Sequence, residues 1–265
     1  MEPKNPRISI VTPTYNSEMY LERAILSIKN QNYDNFEHII VDGNSTDGTV
    51  KIIQKYENTY PMRWISEPDE GMYDAINKGF ALANGDILAW LNSDDFYFPW
   101  AFHVAARAFE KKDIQWLIGV SSSAVTVDGH EIIYQLPNMP AVFNSRMVKS
   151  GAYDGRQMYF ISQAACFWTR KLWDASGGLD SQYKSAGDYH LWKKFAALTK
   201  LYTIQCNLAS FQVRKDQKSS DKVTYYKEVN RRKRSRLTNA LTLAYLHLYS
   251  LVKYRKYMIN LKEIL

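Results

Sequence analysis

A chain of 265 residues with 46% hydrophobic content can build the core of one large α/β domain, with or without an appendage. No long polar tract of the kind that stays disordered interrupts it. Lys and Arg number 34 against 27 Asp and Glu, a formal net charge of +7. Much of the surplus lies in residues 222–265, while residues 34–95 are comparatively acid-rich, which predicts contact with an anionic surface, lipid or nucleic acid. Met1 to Arg7 lead directly into a strand pattern without a signal-peptide profile. The longest late apolar run, Leu241 to Val252, is about half of the ~20 residues a span requires, so an integral membrane protein is not expected. Cys166 and Cys206 lack metal-ligand spacing and read as reduced core thiols, which suits a cytosolic setting.

In chain order, Ile8 to Thr12 predicts a strand, followed by a loop over residues 13–17. Leu21, Ala24, Ile25 and Ile28 have helical spacing within residues 18–30, with Ser17 as the candidate N-cap. A strand over Phe36 to Val41 ends at Asp42 and is followed by a turn over residues 44–49 and a helix over 50–56. A strand over 62–66, a helix over 73–83 and a strand over 85–91 complete an alternation that predicts parallel βαβ units covered on both faces. A helix is expected over 98–109. Strands are expected over 114–120 and 131–136, with Asp128-Gly129 as a hairpin turn between them. Residues 138–155 read as loop, 160–168 as strand, 170–175 as a short helix stopped by Gly177-Gly178, 187–198 as helix and 202–208 as strand. From Val223 onward the pattern reads as helix throughout.

Several chemistry-bearing residues fall at strand ends, where open α/β sheets bind ligands. The strand ending at Trp90 and Leu91 is followed by Asn92, Ser93, Asp94 and Asp95. These are hard oxygen groups suited to Mg²⁺ or Mn²⁺ shared with a diphosphate, or alternatively a cap for the next helix. Tyr15 can stack on a flat base or simply pack. Asp42 can accept a base N–H or serve as a turn residue. No Gly-x-Gly-x-x-Gly follows the first strand, which argues against a dinucleotide oxidoreductase.

Four ordered segments (Ile8 to Asn16, Ile40 to Thr49, Glu67 to Gly79 and Ala83 to Asp95) together resemble the inverting family 2 glycosyltransferases of the GT-A fold. Gln163 to Trp168, Gly177 to Asp180 and Gly187 to Trp192 extend the likeness to roughly residues 7–220. The resemblance implies an α/β GT-A domain over 1–220, with a nucleotide-sugar half (1–95) and an acceptor half (96–220), followed by a basic amphipathic helical tail over 221–265. It implies that Thr12, Pro13, Tyr15, Asp42, Asp69, Gly71, Asn77, Lys78 and Ser93 surround a nucleotide-sugar donor. Lys78 alone would otherwise read as a solvated helix face. Asp94 matches the last, metal-binding position of the family's Asp-x-Asp motif, so a divalent cation, Mn²⁺ or Mg²⁺, is implied as cofactor. Asp188 matches the catalytic base of inverting transfer.

The chain departs from the family pattern at four positions. Gly43 stands where many relatives carry a second aspartate, Asn92 replaces the first motif carboxylate, and Gly187 replaces a frequent acidic residue. Arg214 stands where a histidine is common, and an arginine there would pair with diphosphate oxygens rather than ligate a cation. Trp192 reads as an acceptor wall or as core, with core favoured.

The expected partners are a nucleotide-sugar donor, a UDP-sugar first, and a glycan or lipid-linked acceptor of a surface polysaccharide. Residues 222–265 suit an anionic membrane surface or a helix pair packed on the domain, giving a cytoplasmic or peripheral inner-face location. No nucleic-acid module is recognisable, so nucleic acid is not expected. The alternative is a nucleotide-sugar-binding module without turnover, favoured by Asn92, Gly187 and Arg214 and opposed by retention of Asp94 and Asp188.

Overall fold

The computed structural model describes residues 5–111, 113–127, 130–135, 143–155, 160–213, 221–229, 248 and 258–259. In the first half, β1 (Ile8–Thr14), β2 (Phe36–Asp42), β3 (Met62–Ser66) and β4 (Ile87–Trp90) alternate with α1 (Leu21–Lys29), α2 (Thr49–Tyr56) and α3 (Met72–Leu82). β1 pairs in parallel with β2 and β4, and β2 with β3, so all four strands end at one edge. β1 and β2 are buried along their whole length, as strands under crossover helices must be.

The second half contains β5 (Phe96–Tyr97), α4 (Ala101–Phe109), β6 (Trp116–Val127), β7 (His130–Gln135) and α5 (Ser145–Lys149). A 3-10 turn (Gln163–Ala165), β8 (Cys166–Thr169), α6 (Arg170–Ser176), α7 (Gly187–Leu198), β9 (Tyr202–Val213), α8 (Lys222–Val229) and β10 (Met258–Ile259) follow. The described strands form one sheet in the order β10-β9-β6-β8-β4-β1-β2-β3, with β5 on β9 and β7 on β6. β8 runs antiparallel between β4 and β6 and joins the two halves.

The differences from the sequence reading have identifiable causes. β6 and β9 run past their predicted ends because they pair with each other from Leu117↔Tyr202 to Val125↔Val213. β5 exists because Phe96 and Tyr97 find Ser210 and Ala209 on β9, a non-local partner that no local pattern announces. The strand expected over 160–168 shortens to Cys166–Thr169, preceded by the 3-10 turn. α5 forms inside the expected loop, with the Asn144 side chain accepting from the Arg146 and Met147 amides. Ser17 is not the N-cap of α1: that position is Tyr20, with no side-chain cap, while the Ser17 carbonyl accepts from the Tyr20 and Leu21 amides in the turn before the helix and its hydroxyl donates to the Tyr15 carbonyl. Met258 and Ile259 are strand rather than helix, because the edge of β9 offers them a parallel ladder at Thr203 and Ile204. Asp128-Gly129 lies outside the described residues, but the flanking strands pair antiparallel with Val127 opposite His130.

The core that fixes the second half is aromatic. Trp192 is buried and stacks on Trp90 at 5.9 Å and on Trp116 at 5.3 Å, with Trp168 edge-on and Phe195 tilted against it. Trp192 is therefore core, and it pins α7 to the sheet. Cys166 is buried and Cys206 partly so, both as free thiols.

Candidate active site

The loops after β1, β2, β3 and β4 meet at the carboxyl edge. Those after β1 and β2 are laced together. The Asn16 amide donates to Ser45 Oγ at 2.8 Å, Asn16 Oδ1 accepts from the Thr46 amide at 2.9 Å, and Glu18 accepts from the Gly48 amide at 2.7 Å. Tyr15 stands out of this lacing with 62% of its surface exposed. Thr12 and Pro13 lie beneath it, buried within β1. Thr12 Oγ1 is bonded to His38 Nε2 at 2.8 Å, and His38 Nδ1 to the Tyr60 hydroxyl at 2.6 Å. Complete burial pushes the His38 pKa down to about 3, so it is a neutral strut and not an acid–base group.

Asp42 is buried, and both its oxygens are engaged. Oδ2 accepts from the Ser45 amide at 3.0 Å and the Ser66 hydroxyl at 2.6 Å, and Oδ1 accepts from the Ser45 hydroxyl. In this arrangement it braces the rim. The carboxylate that does reach the rim belongs to Asp69. A Cβ at Gly43 would lie 2.6 Å from Asp69 Oδ2 and 3.4 Å from Tyr15 Cδ2, so the bare backbone of Gly43 lets Asp69 and Tyr15 converge. Asp69 Oδ1 is held by the Gly71 amide at 2.8 Å. An aromatic face beside a carboxylate is a shape that suits a flat base with N–H donors.

Asn77 and Lys78 face other tasks. Asn77 exchanges two hydrogen bonds with the backbone of Leu179, donating at 2.9 Å and accepting at 3.3 Å, which ties α3 to the segment between α6 and α7. Lys78 Nζ pairs with Glu67 at 2.9 Å and Asp74 at 3.3 Å and donates to the Pro68 carbonyl at 3.0 Å, so it fastens the loop after β3.

After β4, Ser93 Oγ donates to Ser17 Oγ at 2.9 Å. Asp95 is buried and accepts from the Gln212 amide at 3.0 Å, which anchors the turn to β9. Asp94 is half-buried on the same turn, two residues after Asn92. Asn92 Oδ1 is buried and accepts no hydrogen bond among the described residues. A carboxylate plus an unclaimed amide oxygen fits a hard divalent cation that takes its remaining ligands from phosphate and water. Among the described residues, no group of three or more His, Cys, Asp or Glu forms a cage of its own. Arg214 lies outside the described residues.

Asp188 sits at the head of α7. Protein packs densely around its carboxyl although part of its surface stays open, and that desolvation raises its pKa to about 6. The amides of Tyr189 (2.7 Å to Oδ1) and of Asp188 itself oppose the rise, and the negative charge of Glu228 adds to it. Tyr73 lies against the same turn, its hydroxyl within reach of the Gly187 and Asp188 amides, and burial and the Asp188 charge hold its own pKa well above the usual tyrosine value. Lys184 Nζ donates to the Glu70 carbonyl at 2.8 Å, so the segment before α7 touches the loop after β3 directly.

The family model for glycosyl transferase family 2 matches residues 9–162 of this chain. The chain belongs to family 2 of the glycosyltransferases. Among curated relatives, an uncharacterized glycosyltransferase of Mycobacterium tuberculosis is 31% identical over 214 residues, 78% of this chain and 75% of its own. The chondroitin synthase of Pasteurella multocida is 26% identical over 196 residues, 74% of this chain but 19% of its own. Among solved structures, S. aureus TarS with UDP-GlcNAc superimposes with a TM-score of 0.66 at 20% identity, over 81% of this chain and 61% of that one. The Pyrobaculum calidifontis mannosyltransferase PcManGT with GDP-Man and Mn²⁺ gives 0.61 at 19% identity, over 87% of this chain and 66% of that one. The glycosyltransferase thus has the GT-A fold, a mixed α/β architecture with a mostly parallel sheet. It spans less than two thirds of the TarS chain it matches. No described helix of the glycosyltransferase is long and apolar enough to cross a membrane.

The motif residues near Asp188 were legible in the glycosyltransferase sequence. Its supports were not. Tyr73 reads as an ordinary helix residue and Glu228 as one charge in a basic tail. Only a count of unsatisfied amides at the head of α7 exposes them.

Proposed function

We propose that this glycosyltransferase is inverting and metal-assisted, and that it moves a sugar from a nucleoside-diphosphate donor, a UDP-sugar first, to a hydroxyl of a lipid-linked or polysaccharide acceptor. The observation that carries the reading is Asp188, a partly open carboxyl with its proton affinity raised to about 6, hydrogen-bonded into the head of a helix that abuts the donor-side loop. Such a group is ionised at neutral pH yet basic enough to take a proton in the transition state.

In the proposed step, Asp188 removes the acceptor O–H proton as that oxygen bonds to the sugar's anomeric carbon. The bond from that carbon to the diphosphate oxygen breaks on the opposite face, and the nucleoside diphosphate leaves with the electron pair. Tyr15 and Asp69 hold the base over Gly43. A divalent cation bound beside Asp94 and Asn92 would neutralise charge on the departing diphosphate. Arg214, from its sequence position, is assigned to the same diphosphate. Both a UDP-sugar and a GDP-sugar are seen bound to structural neighbours of this fold, which supports the donor class without choosing the base. The relation to polysaccharide synthases supports a glycan acceptor, and of the basic segment 221–265 the part between α8 and β10, residues 230–257, is assigned to an anionic membrane face.

Isothermal titration of UDP and GDP, each with Mn²⁺ and with chelator, tests the reading. Cation-dependent binding of one nucleotide supports it and names the base. Failure of both in folded protein sinks it.

A further inference from the structure

α7 begins at Gly187 after Ala186, whose side chain cannot cap it. The amides around its head are nevertheless accounted for. Glu228 on α8 accepts from three consecutive loop amides: Lys184 at 2.7 Å, Ser185 at 2.9 Å and Ala186 at 2.8 Å. The Tyr73 hydroxyl faces those of Gly187 and Asp188, and Asp188 Oδ1 takes that of Tyr189. A carboxylate that collects several amides at a helix head is well matched to the dipole and makes charge-assisted bonds. α8 is fixed there by more than Glu228. Val229 packs with Ala186 and Tyr189, Tyr225 meets Tyr189 and Phe160 edge-on, and the Glu228 carbonyl is 3.1 Å from His190 Nε2.

We propose that Glu228 is a positioning residue for Asp188, so that α8, which lies beyond the catalytic sheet, completes the base site by holding the segment that leads into α7. This rests on the reading of Asp188 as the base. Two consequences follow from the geometry. Glu228 sets the backbone from which Asp188 projects, and its charge lies close enough to Asp188 to make that carboxylate hold its proton more tightly. The other titratable groups facing Asp188 are Tyr73 on α3, Cys166 on β8 and Tyr225 on α8, all held protonated by burial. Glu228 is therefore the nearby negative charge that one substitution can remove while leaving an acceptor in place.

The test is a ¹³C-carboxyl titration of aspartate-labelled full chain, with the Asp188 signal assigned by its loss in Asp188→Asn. In Glu228→Gln the Asp188 midpoint moves below the wild-type value of about 6, while the Ser185 and Ala186 amides, which share one Glu228 oxygen that the glutamine carbonyl can replace, stay slow to exchange. In Glu228→Ala the 184–186 amides exchange at least ~tenfold faster, as expected when the acceptor shared by three amides is lost. An Asp188 midpoint identical in wild type and Glu228→Gln, or unchanged exchange in Glu228→Ala, overturns the proposal. These readouts need no turnover. If Asp188→Asn keeps wild-type release of nucleotide from UDP-GlcNAc or GDP-mannose, the base assignment fails while the titration still judges Glu228.

Discussion

The ring of Tyr73 occupies the space that a side chain at residue 187 would need. A Cβ on Gly187 would lie 2.7 Å from two Tyr73 ring carbons, closer than real contacts allow. Tyr73 belongs to α3, which follows the loop after β3, and Gly187 opens the helix that carries Asp188. The pair therefore couples the geometry of α3 to that of the head of α7, and it gives a physical reason for glycine at 187.

Gly187→Ala should push the head of α7 off Tyr73. Misplacement on that scale lowers turnover by about 10–100-fold with a modest change in Tm. Turnover with a fixed donor and acceptor, alongside thermal melting, checks it. Wild-type turnover would mean that α7 tolerates the shift.

Asp188→Asn should abolish transfer and leave nucleotide affinity within about twofold, since it removes the base and not a donor contact. In the wild type, kcat/KM should rise with pH through about 6 and level off above, because only the ionised carboxylate takes the proton. The stability effect has the opposite sign. The folded pKa of about 6 exceeds the ordinary 3.8, so the folded state binds this proton more tightly than the unfolded chain does. Stability therefore falls as pH rises from about 4 to about 6. Above that range Asp188→Asn should stabilise the fold by on the order of 1–3 kcal/mol. Urea melts at two pH values check the sign.

Gly43→Ala should weaken nucleotide binding about tenfold or more, because its methyl must displace Asp69 Oδ2 from 2.6 Å. The comparison is calorimetric Kd for UDP and GDP in the variant and in Asp69→Asn. Equal affinity in all three proteins would remove Asp69 from the base site.

Asp94→Ala should cost about tenfold or more in nucleotide affinity with Mn²⁺ present and almost nothing in chelator, if it shares the cation with diphosphate as proposed. An unchanged dependence on Mn²⁺ would sink that assignment. Asp95→Ala should behave differently and lower Tm first, because Asp95 is buried and holds the Gln212 amide.

The sequence by itself determined the parallel first half. The alternation of β1, α1, β2, α2, β3, α3 and β4 is written in hydrophobic period and loop length, which are local properties. It also determined the family, because the ordered motifs run over most of the chain, and it offered strand-end carboxylates as candidates, because those ends fall at the edge where ligands bind.

Tertiary structure decided what those residues are free to do. Asp42 and Asp69 read alike in sequence, yet Ser45 and Ser66 engage one while the gap above Gly43 brings the other to the rim. Lys78 could have faced phosphate, but Glu67 and Asp74 hold it on the loop after β3. Trp192 was core only once Trp90 and Trp116 were beside it. Met258 and Ile259 lie in an otherwise helical pattern and became strand because β9 had an edge to offer. Glu228 meets the amides of 184–186 across more than forty residues of chain. Pairings of that range leave no period or spacing in a sequence. They arise from packing and from the demand that buried amides and carboxylates find partners, and only the folded chain settles them.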